Sequence, residues 1–262
     1  SKFLKSPHDL EYEKTFMPFC LLSKKRYVGM LYETNINKCK RKSMGIVLKR
    51  RDNAPVVKDI YGGIIDIIMK EQNVEKAVLF TKQFLQDIID EKIGMEKLII
   101  TKSLREFYKC PDSIAHKVLA DRMGKRDPGN KPSTGSRIPY IYIQTKGNVK
   151  LQGDKIEHPD FIKEHKLKPD YKIYITNQIM KPVTQIYALV LEQLGVFQKR
   201  RKAFERKVRS LKRKWKDNEK KCHEYIMKER NKHVKELIFN DTLRIYNNKR
   251  NGQPTIQSMF GF

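Results

Sequence analysis

The chain has 262 residues, and its 56 lysines and arginines against 30 aspartates and glutamates give a net charge of +26. A chain this basic favours polyanionic partners, above all nucleic acid, with an affinity dominated by phosphate contacts. No apolar run approaches the length of a membrane span, no signal-peptide pattern stands near the start, and the four cysteines lie too far apart for metal-ligand spacing, which disfavours membrane, secreted and zinc-binding proteins.

The first distinctive element is the run Lys24–Gly29, in which three consecutive cations precede an aromatic residue and end at a glycine. Apolar stretches at 16–22 and 28–32 flank the cations, which predicts a hairpin around them. Cations held between two buried flanks meet a phosphate with little ordering cost. A solvated basic turn is the alternative interpretation of the same run.

The other elements predicted before residue 53 are short. Alternation with period two over 10–14 predicts a strand, and Pro18 interrupts the pattern. The segment 35–42 is polar and basic, which predicts a turn. The segment 45–52 is predicted to be a short strand that ends in a charged turn.

Helices dominate after residue 53. Apolar residues recur at helical spacing over 54–69, where Pro55 falls in the first turn, and again over 74–91; core packing accounts for both stripes. The remaining predicted elements are strands at 97–103 and 138–145, helices at 113–123 and 170–194, and a glycine- and proline-rich loop at 124–136. A break in the last helix is possible at Pro182.

The composition changes at Gly195. The segment 199–235 contains 17 lysines and arginines against five aspartates and glutamates, with only a thin apolar stripe. A helix of this composition needs a polyanion or a partner to become fully ordered. An anionic membrane surface is the alternative polyanion, although the cations are not confined to one amphipathic helix.

Several motifs, in order along the chain, resemble those of the family B DNA polymerases. The stretches 10–14 and Lys24–Gly29 resemble the end of that family's palm, and Arg50–Pro55 resembles the arginine-aspartate element that follows it. The thumb-like motifs are Ala115-His116, Ala120–Met123, Lys125–Gly129 and Arg137–Tyr140. The motifs similar to the helix that closes the thumb are Asp170-Tyr171, Tyr174, Asn177-Gln178, Lys181-Pro182 and Ile186. The resemblance covers roughly 7–194 and is greatest to delta-type and large-DNA-virus members.

The resemblance implies an α+β fold that is mostly helical. The end of a palm with short strands would occupy 1–52, a helical thumb 53–195, and a basic helical extension 196–250. A C-terminal tail would occupy 251–262.

The resemblance also implies that the chain grips primer–template DNA. The lysine-lysine-arginine-tyrosine element would hold the primer strand near its growing end, in the minor groove, where the pattern of donors and acceptors depends little on sequence. The implied DNA-binding residues are Lys24, Lys25, Arg26, Tyr27, Arg51, Lys125, Arg126 and Arg137.

Three of the matched positions leave alternatives open. Arg51 contacts a phosphate in one interpretation, and in the other it joins Asp52 in pairing with neighbours to hold palm against thumb. His116 is favoured as a packed or capping residue over a catalyst. Glu13 matches a carboxylate near the family's metal site, which suits Mg²⁺, but it could equally be a surface carboxylate paired with Lys14.

The family's two metal-binding aspartate motifs and its fingers lysine do not occur in this sequence. Two-metal phosphoryl transfer requires such carboxylates. The resemblance therefore implies the C-terminal portion of a nucleotidyltransferase, whose catalytic half lies upstream or on a separate chain; the start at Ser1 also suggests a fragment. The alternatives are a non-enzymatic basic DNA-binding protein and a clamp-recruited module, each derived from such a polymerase.

The tail carries a possible partner motif. Gln253, Ile256, Met259 and Phe260 have the spacing of a sliding-clamp binding peptide, with a methionine where an aromatic anchor is usual. A disordered apolar end is the alternative. A replication polymerase of this kind would act in the nucleus, or in the cytoplasm at a viral replication site.

Overall fold

The computed structural model of the chain describes residues 11–252, apart from Thr34, Lys146 and Asn148. Within that part, two small antiparallel sheets are joined by helices, and one continuous apolar core runs through all of them. None of the described helices is long and apolar enough to cross a membrane. The α+β, mostly helical fold predicted from the sequence is confirmed.

The first sheet contains the predicted hairpin. Strands β1 (Thr15–Ser23) and β2 (Arg26–Tyr32) pair antiparallel, and Lys24 and Lys25 form the turn between them. A third strand, β3 (Cys39–Met44), pairs with the other edge of β2, so that β2 is central and largely buried.

Three expectations for this region are corrected. Residues 11–14 are irregular rather than a strand. The basic segment predicted as a turn contributes β3, because an exposed edge strand tolerates cationic side chains. Pro18 lies inside β1 at a register shift, a place on an edge strand where a missing N–H costs nothing.

Gly45 ends the first sheet and prevents the strand predicted at 45–52. Its φ of +62° lies in the left-handed region, and a 3-10 turn, Val47–Lys49, follows it. A Cβ atom on Gly45 would lie 2.2 Å from the backbone oxygen of Lys25. The basic turn of the hairpin therefore packs directly against this glycine.

Two helices form the centre of the core, close to where the sequence predicts them. Helix α1 (Pro55–Asp66) starts at its proline and continues into a π-helical turn, Ile67–Glu71. Helix α2 (Val74–Ile89) is capped by Asn73, whose side chain accepts a 2.8 Å hydrogen bond from the N–H of Lys76.

The second sheet has the strand order β4 (Ile100–Ser103), β5 (Arg137–Tyr142) and β6 (Ile156–Glu157). Helices α3 (Ala115–Arg126) and α4 (Pro159–Glu164) pack beside it. Glu157 is buried and accepts hydrogen bonds from Arg122 at 3.1 Å and Arg126 at 3.0 Å. These two arginines neutralise the buried carboxylate and tie α3 to β6.

The predicted closing helix is present, and Pro182, named as a possible break, lies inside it. Helix α5 (Tyr171–Ile173) passes through a π-helical turn, Tyr174–Ile179, into helix α6 (Met180–Leu189). A proline inside a helix lacks an N–H and crowds the carbonyl four residues earlier, here that of Gln178. The wide turn lies at that position, so the helix accommodates the proline by local widening.

The basic extension folds back on the rest of the chain as α7 (Gln198–Lys214), α8 (Glu219–Ile238) and α9 (Asn240–Arg250). Its buried apolar residues are spread over all three helices, which is why the sequence showed only a thin apolar stripe. They include Phe204, Leu211, Val234, Ile238, Phe239 and Tyr246. These side chains dock the extension on the rest of the chain, so part of its order comes from packing within the protein.

Polar contacts reinforce the docking of the extension. Arg230 donates 2.7 Å to the carbonyl of Ala188 at the end of α6, and it also contacts Glu192. Lys249 donates 3.0 Å to the carbonyl of Ile89 at the end of α2. The possible clamp-binding residues of the tail, Gln253, Ile256, Met259 and Phe260, lie outside the described residues.

Replacing Gly45 tests how tightly the basic turn is held. We expect Gly45→Ala to lower the free energy of unfolding by about 1–3 kcal/mol, because alanine is strained at this φ and its Cβ would clash with Lys25. Denaturant unfolding followed by circular dichroism measures the change.

Gly62 provides the matched control, since it lies within α1 with only an ordinary 3.5 Å contact to Leu48 for a new Cβ. We expect Gly62→Ala to be neutral or to stabilise the chain by about 0.5–1 kcal/mol. Equal effects of the two substitutions would contradict the tight packing of the turn.

Candidate nucleic-acid interface

A groove of about 550 Å³ opens where the first sheet, the second sheet and α6 meet. It collects side chains from motifs that are far apart in the sequence. The polar and charged residues that line it are Arg26, Arg50, Asp52, Asn53, Lys102, Asn177, Gln178, Lys181 and Gln185, and the rings of Tyr140 and Tyr142 complete the wall.

The lining of this groove is strongly positive. Four cations face one carboxylate, that of Asp52, which accepts hydrogen bonds from Arg50 at 3.0 and 2.8 Å and one from Lys102 at 3.4 Å. The hydrogen bonds from Arg50, with the nearby charge of Lys102, hold the pKa of Asp52 well below its usual value. Asp52 thus remains ionised and fixes the two cations in place.

Arg26 connects the hairpin to the helix on the other side of the groove. Its guanidinium donates a 3.0 Å hydrogen bond to the side-chain oxygen of Gln185 on α6. Gln185 is the one hydrogen-bond partner that the described residues give to this side chain, and a guanidinium carries five N–H donors. The remaining donors are available to an anion in the groove.

The two lysines that precede Arg26 project from the tip of the hairpin. Both are exposed, and Lys25 adopts a φ of +61°, a left-handed conformation that is uncommon for a residue with a side chain. Gly45 supports this turn from behind. The hairpin therefore presents two exposed lysines, without ion pairs among the described residues, beside Arg26 of the groove.

Tyr27 points away from the groove. Its ring packs against Phe16 at 5.9 Å and Phe19 at 5.5 Å between centroids. Successive residues of a strand face opposite sides of a sheet, so Arg26 and Tyr27 cannot both line the groove. The structure gives Tyr27 a packing contact beneath the turn.

The thumb-like candidates also lie outside the groove lining. Lys125 is exposed at the end of α3, and Arg137 is exposed at the start of β5, where it pairs with Ser103 of β4. Arg126 is exposed, but its guanidinium donates a 3.0 Å hydrogen bond to the buried Glu157 and lies 3.7 Å over the ring of Phe161, so it is held by contacts within the fold.

The position of Arg51 fits the phosphate contact, and the contacts of His116 fit a packed residue rather than a catalyst. Arg51 is exposed and forms no ion pair among the described residues, while Asp52 pairs with Arg50 and Lys102 instead. His116 hydrogen-bonds the hydroxyl of Tyr108 at 3.1 Å. Burial, with the positive charge of Lys102, lowers the pKa of His116, as befits a packed neutral histidine.

The described residues do not fit a magnesium site. Glu13 is exposed, and its carboxylate forms an ion pair with Lys14, which lowers its pKa. No group of three histidine, cysteine, aspartate or glutamate side chains comes together in the part of the chain that the structure describes. No chemical step is therefore derived through a metal held by this chain.

Several groove residues were not assigned a role from the sequence. Gln178, Lys181 and Gln185 recur at spacings of three and four, which puts them on one helix face, and this signal could have identified them. Lys102 carried no such signal, since its partner Asp52 lies 50 positions away in the sequence.

The pairing of Asp52 predicts a pH dependence of stability. A carboxylate whose pKa is depressed by folding contributes stability above its unfolded pKa, near 4, and this contribution is lost as the pH falls through the folded pKa. We expect Asp52→Asn to lower the free energy of unfolding by about 1 kcal/mol at pH 7. Near pH 2 the variant and the parent should approach each other.

Unfolding by urea across this pH range measures the difference. Asp112→Asn is the control, because Asp112 is exposed and forms no ion pair among the described residues. A gap between Asp52→Asn and the parent that stays constant from pH 7 to pH 2 would show that the ion pairs do not stabilise the fold.

Comparison with known proteins gives a consistent assignment. A sequence profile described as DNA polymerase family B matches residues 1–190. The DNA polymerase of Pyramimonas orientalis virus is 52% identical over 261 residues, which cover 99% of this chain and 22% of that protein. The DNA polymerase of Acanthamoeba polyphaga mimivirus is 50% identical over 72% of this chain and 11% of its own length.

More distant relatives match a shorter part of the chain. The DNA polymerase delta catalytic subunit of Candida albicans is 35% identical over 71% of this chain and 18% of its own length. The solved family B DNA polymerase of Pyrobaculum calidifontis superposes with a TM-score of 0.51 at 21% identity, over 64% of this chain and 21% of that one, which supports the fold alone. The chain spans less than a quarter of the curated relatives' length, and it belongs to DNA polymerase family B.

Proposed function

We propose that this chain grips the primer–template duplex as the C-terminal part of a DNA-directed DNA polymerase. One observation carries the proposal: the groove collects Arg26, Asp52 and Lys181, which come from three separate family motifs. A groove with four cations and one carboxylate suits a phosphate backbone.

The side chains of the groove match the chemistry of a duplex. Arginine and lysine neutralise phosphates and release counterions, which supplies affinity without selecting a sequence. The amides of Asn53, Asn177 and Gln178 offer further donors to phosphate and sugar oxygens. Such contacts are indifferent to sequence, as a copying enzyme requires.

The two walls of the groove correspond to the two parts that the motifs suggest. The palm end, residues 1–52, supplies Arg26 and Arg50, and the thumb, residues 53–195, supplies Lys102 and Lys181. The contacts of Arg26 with Gln185 and of Asp52 with Lys102 join the walls. A phosphate backbone seated in this groove would be presented in one orientation, and fixed orientation lowers the barrier to reaction.

The chemistry itself would take place elsewhere in the polymerase. Nucleotidyl transfer would use Mg²⁺ and the carboxylates of the catalytic part, while this chain positions the primer. The whole enzyme would act where the genome is replicated, in the nucleus or at a viral replication site. A sliding clamp would bind the tail through Gln253, Ile256, Met259 and Phe260.

Neutralising the hairpin cations tests the grip. We expect Lys25→Gln with Arg26→Gln to weaken binding to a primer–template duplex and to make the slope of log affinity against log salt shallower by about 2, one unit for each phosphate that is no longer neutralised. Glutamine keeps the β-carbon at the left-handed position of Lys25, so the backbone strain is unchanged. Fluorescence anisotropy at several salt concentrations measures both quantities.

The control replaces Lys82 and Lys207 with glutamine. Both are exposed, form no ion pair among the described residues and do not line the groove. The control should leave the salt slope near that of the parent. If both double variants bind the duplex equally weakly, net charge rather than the hairpin governs binding, and the grip is refuted.

Primer extension distinguishes a polymerase part from a stand-alone DNA-binding protein. We expect no extension by this chain alone and extension when the upstream, aspartate-bearing part of the polymerase is present. Nucleotide incorporation on a labelled primer is the measurement. Failure of every such combination would favour the non-enzymatic alternative.

A further inference from the structure

A second groove, of about 390 Å³, lies between α6 and α8. It shares Lys181 and Gln185 with the first groove, so the two are neighbours across the face of α6. The other residues that line it are Thr176, Met180, Thr184, Lys228, Asn231, Lys232 and Lys235. None of the residues that line this groove is acidic.

The lysines of α8 are arranged along one face of the helix. Lys228, Lys232 and Lys235 follow the spacing i, i+4, i+7, which brings them into line on the side that faces Lys181. Lys228 is paired with Glu224 at 2.8 Å. Lys181, Lys232 and Lys235 are exposed and form no ion pair within the described part of the chain.

Like charges gathered in this way repel one another and destabilise the fold. The docking of α8 nevertheless places them together, because Val234 and Ile238 are buried on another side of the same helix. A polyanion in the groove would remove the repulsion. The free energy gained from neutralising these lysines would then appear as binding affinity.

We propose that the α6–α8 groove binds the phosphate backbone of duplex DNA beyond the first groove, so that the extension lengthens the grip. The inference rests on the proposed function, since the first groove must hold the same duplex. The three lysines of α8 span about 10 Å of helix. One strand of duplex DNA presents about three phosphates over that length, one for each lysine.

Continuity with the first groove favours DNA over other polyanions. The two grooves share Lys181 and Gln185, so a backbone that leaves one enters the other. The match to the family profile ends at residue 190, before α8 begins. The contact is therefore an addition to the part that the family has in common.

Duplex length provides the test. Lys232→Gln with Lys235→Gln is compared with the parent on a primer–template duplex of about 8 base pairs and on one of about 25, by anisotropy at several salt concentrations. On the long duplex we expect weaker binding and a salt slope shallower by about 2, one unit for each lysine. On the short duplex, which occupies the first groove alone, both quantities should match those of the parent.

Two comparisons make the result decisive. The control pair, Lys82→Gln with Lys207→Gln, removes the same charge outside both grooves and should show no dependence on duplex length. An equal reduction of affinity on short and long duplexes, or a reduction no larger than that of the control, would contradict DNA binding by the second groove.

The hairpin variant separates this inference from the proposed function. Lys25→Gln with Arg26→Gln should weaken the binding of both duplexes if the first groove holds DNA. If it weakens both while the α8 variant weakens neither, the first groove binds DNA and the second does not. If the hairpin variant weakens neither, the proposed function fails, and with it the continuous path through Lys181.

Discussion

Repulsion among cations is the constraint on which this structure depends. With nearly twice as many basic as acidic side chains, the chain has few carboxylates, and the fold uses several of them as cross-links between distant segments. Asp52 holds Arg50 and also Lys102, which lies 50 positions further along the chain, Glu157 joins α3 to β6, and Glu192 holds Arg230 of the extension. Each carboxylate sits where two parts of the chain must stay together.

Several cations without acidic partners lie on the surfaces proposed to meet DNA. Lys24 and Lys25 stand at the hairpin tip, Lys181 lies between the two grooves, and Lys232 and Lys235 follow on α8. Arg126, by contrast, belongs to a basic motif that suggested DNA binding, but its guanidinium contacts Glu157 and Phe161 of the protein itself. The charge of the sequence therefore indicates the class of partner, whereas the ion pairs of the fold determine which cations remain available to bind it.

Local periodicity and motif order predicted much of the molecule. The helices α1 and α2, the basic hairpin and the membership of family B followed from patterns that a few neighbouring residues carry. The cationic strand β3, the turn at Gly45 and the packing of the extension did not, because each depends on contacts made far along the chain. Lys102 was not predicted to line the groove for the same reason. Its strand places it beside Asp52, and no pattern among neighbouring residues indicates this contact. The palm and thumb boundaries remain predictions.

The π-helical turn before α6 affects the direction in which the side chains of this helix point. A π-helical turn holds one more residue than an α-helical turn, so side chains after it are rotated by about 100° relative to an uninterrupted helix. Asn177 and Gln178 lie in this turn, and Lys181 and Gln185 follow it; all four line the same groove. Gln178, Lys181 and Gln185 keep the spacing of one helix face, so the surplus residue sets the direction of that face relative to the start of the helix at Tyr171. Deletion of one residue at the beginning of the turn would leave the composition of the helix nearly unchanged while rotating this face away from its present direction, which makes the length of this segment as informative as its sequence.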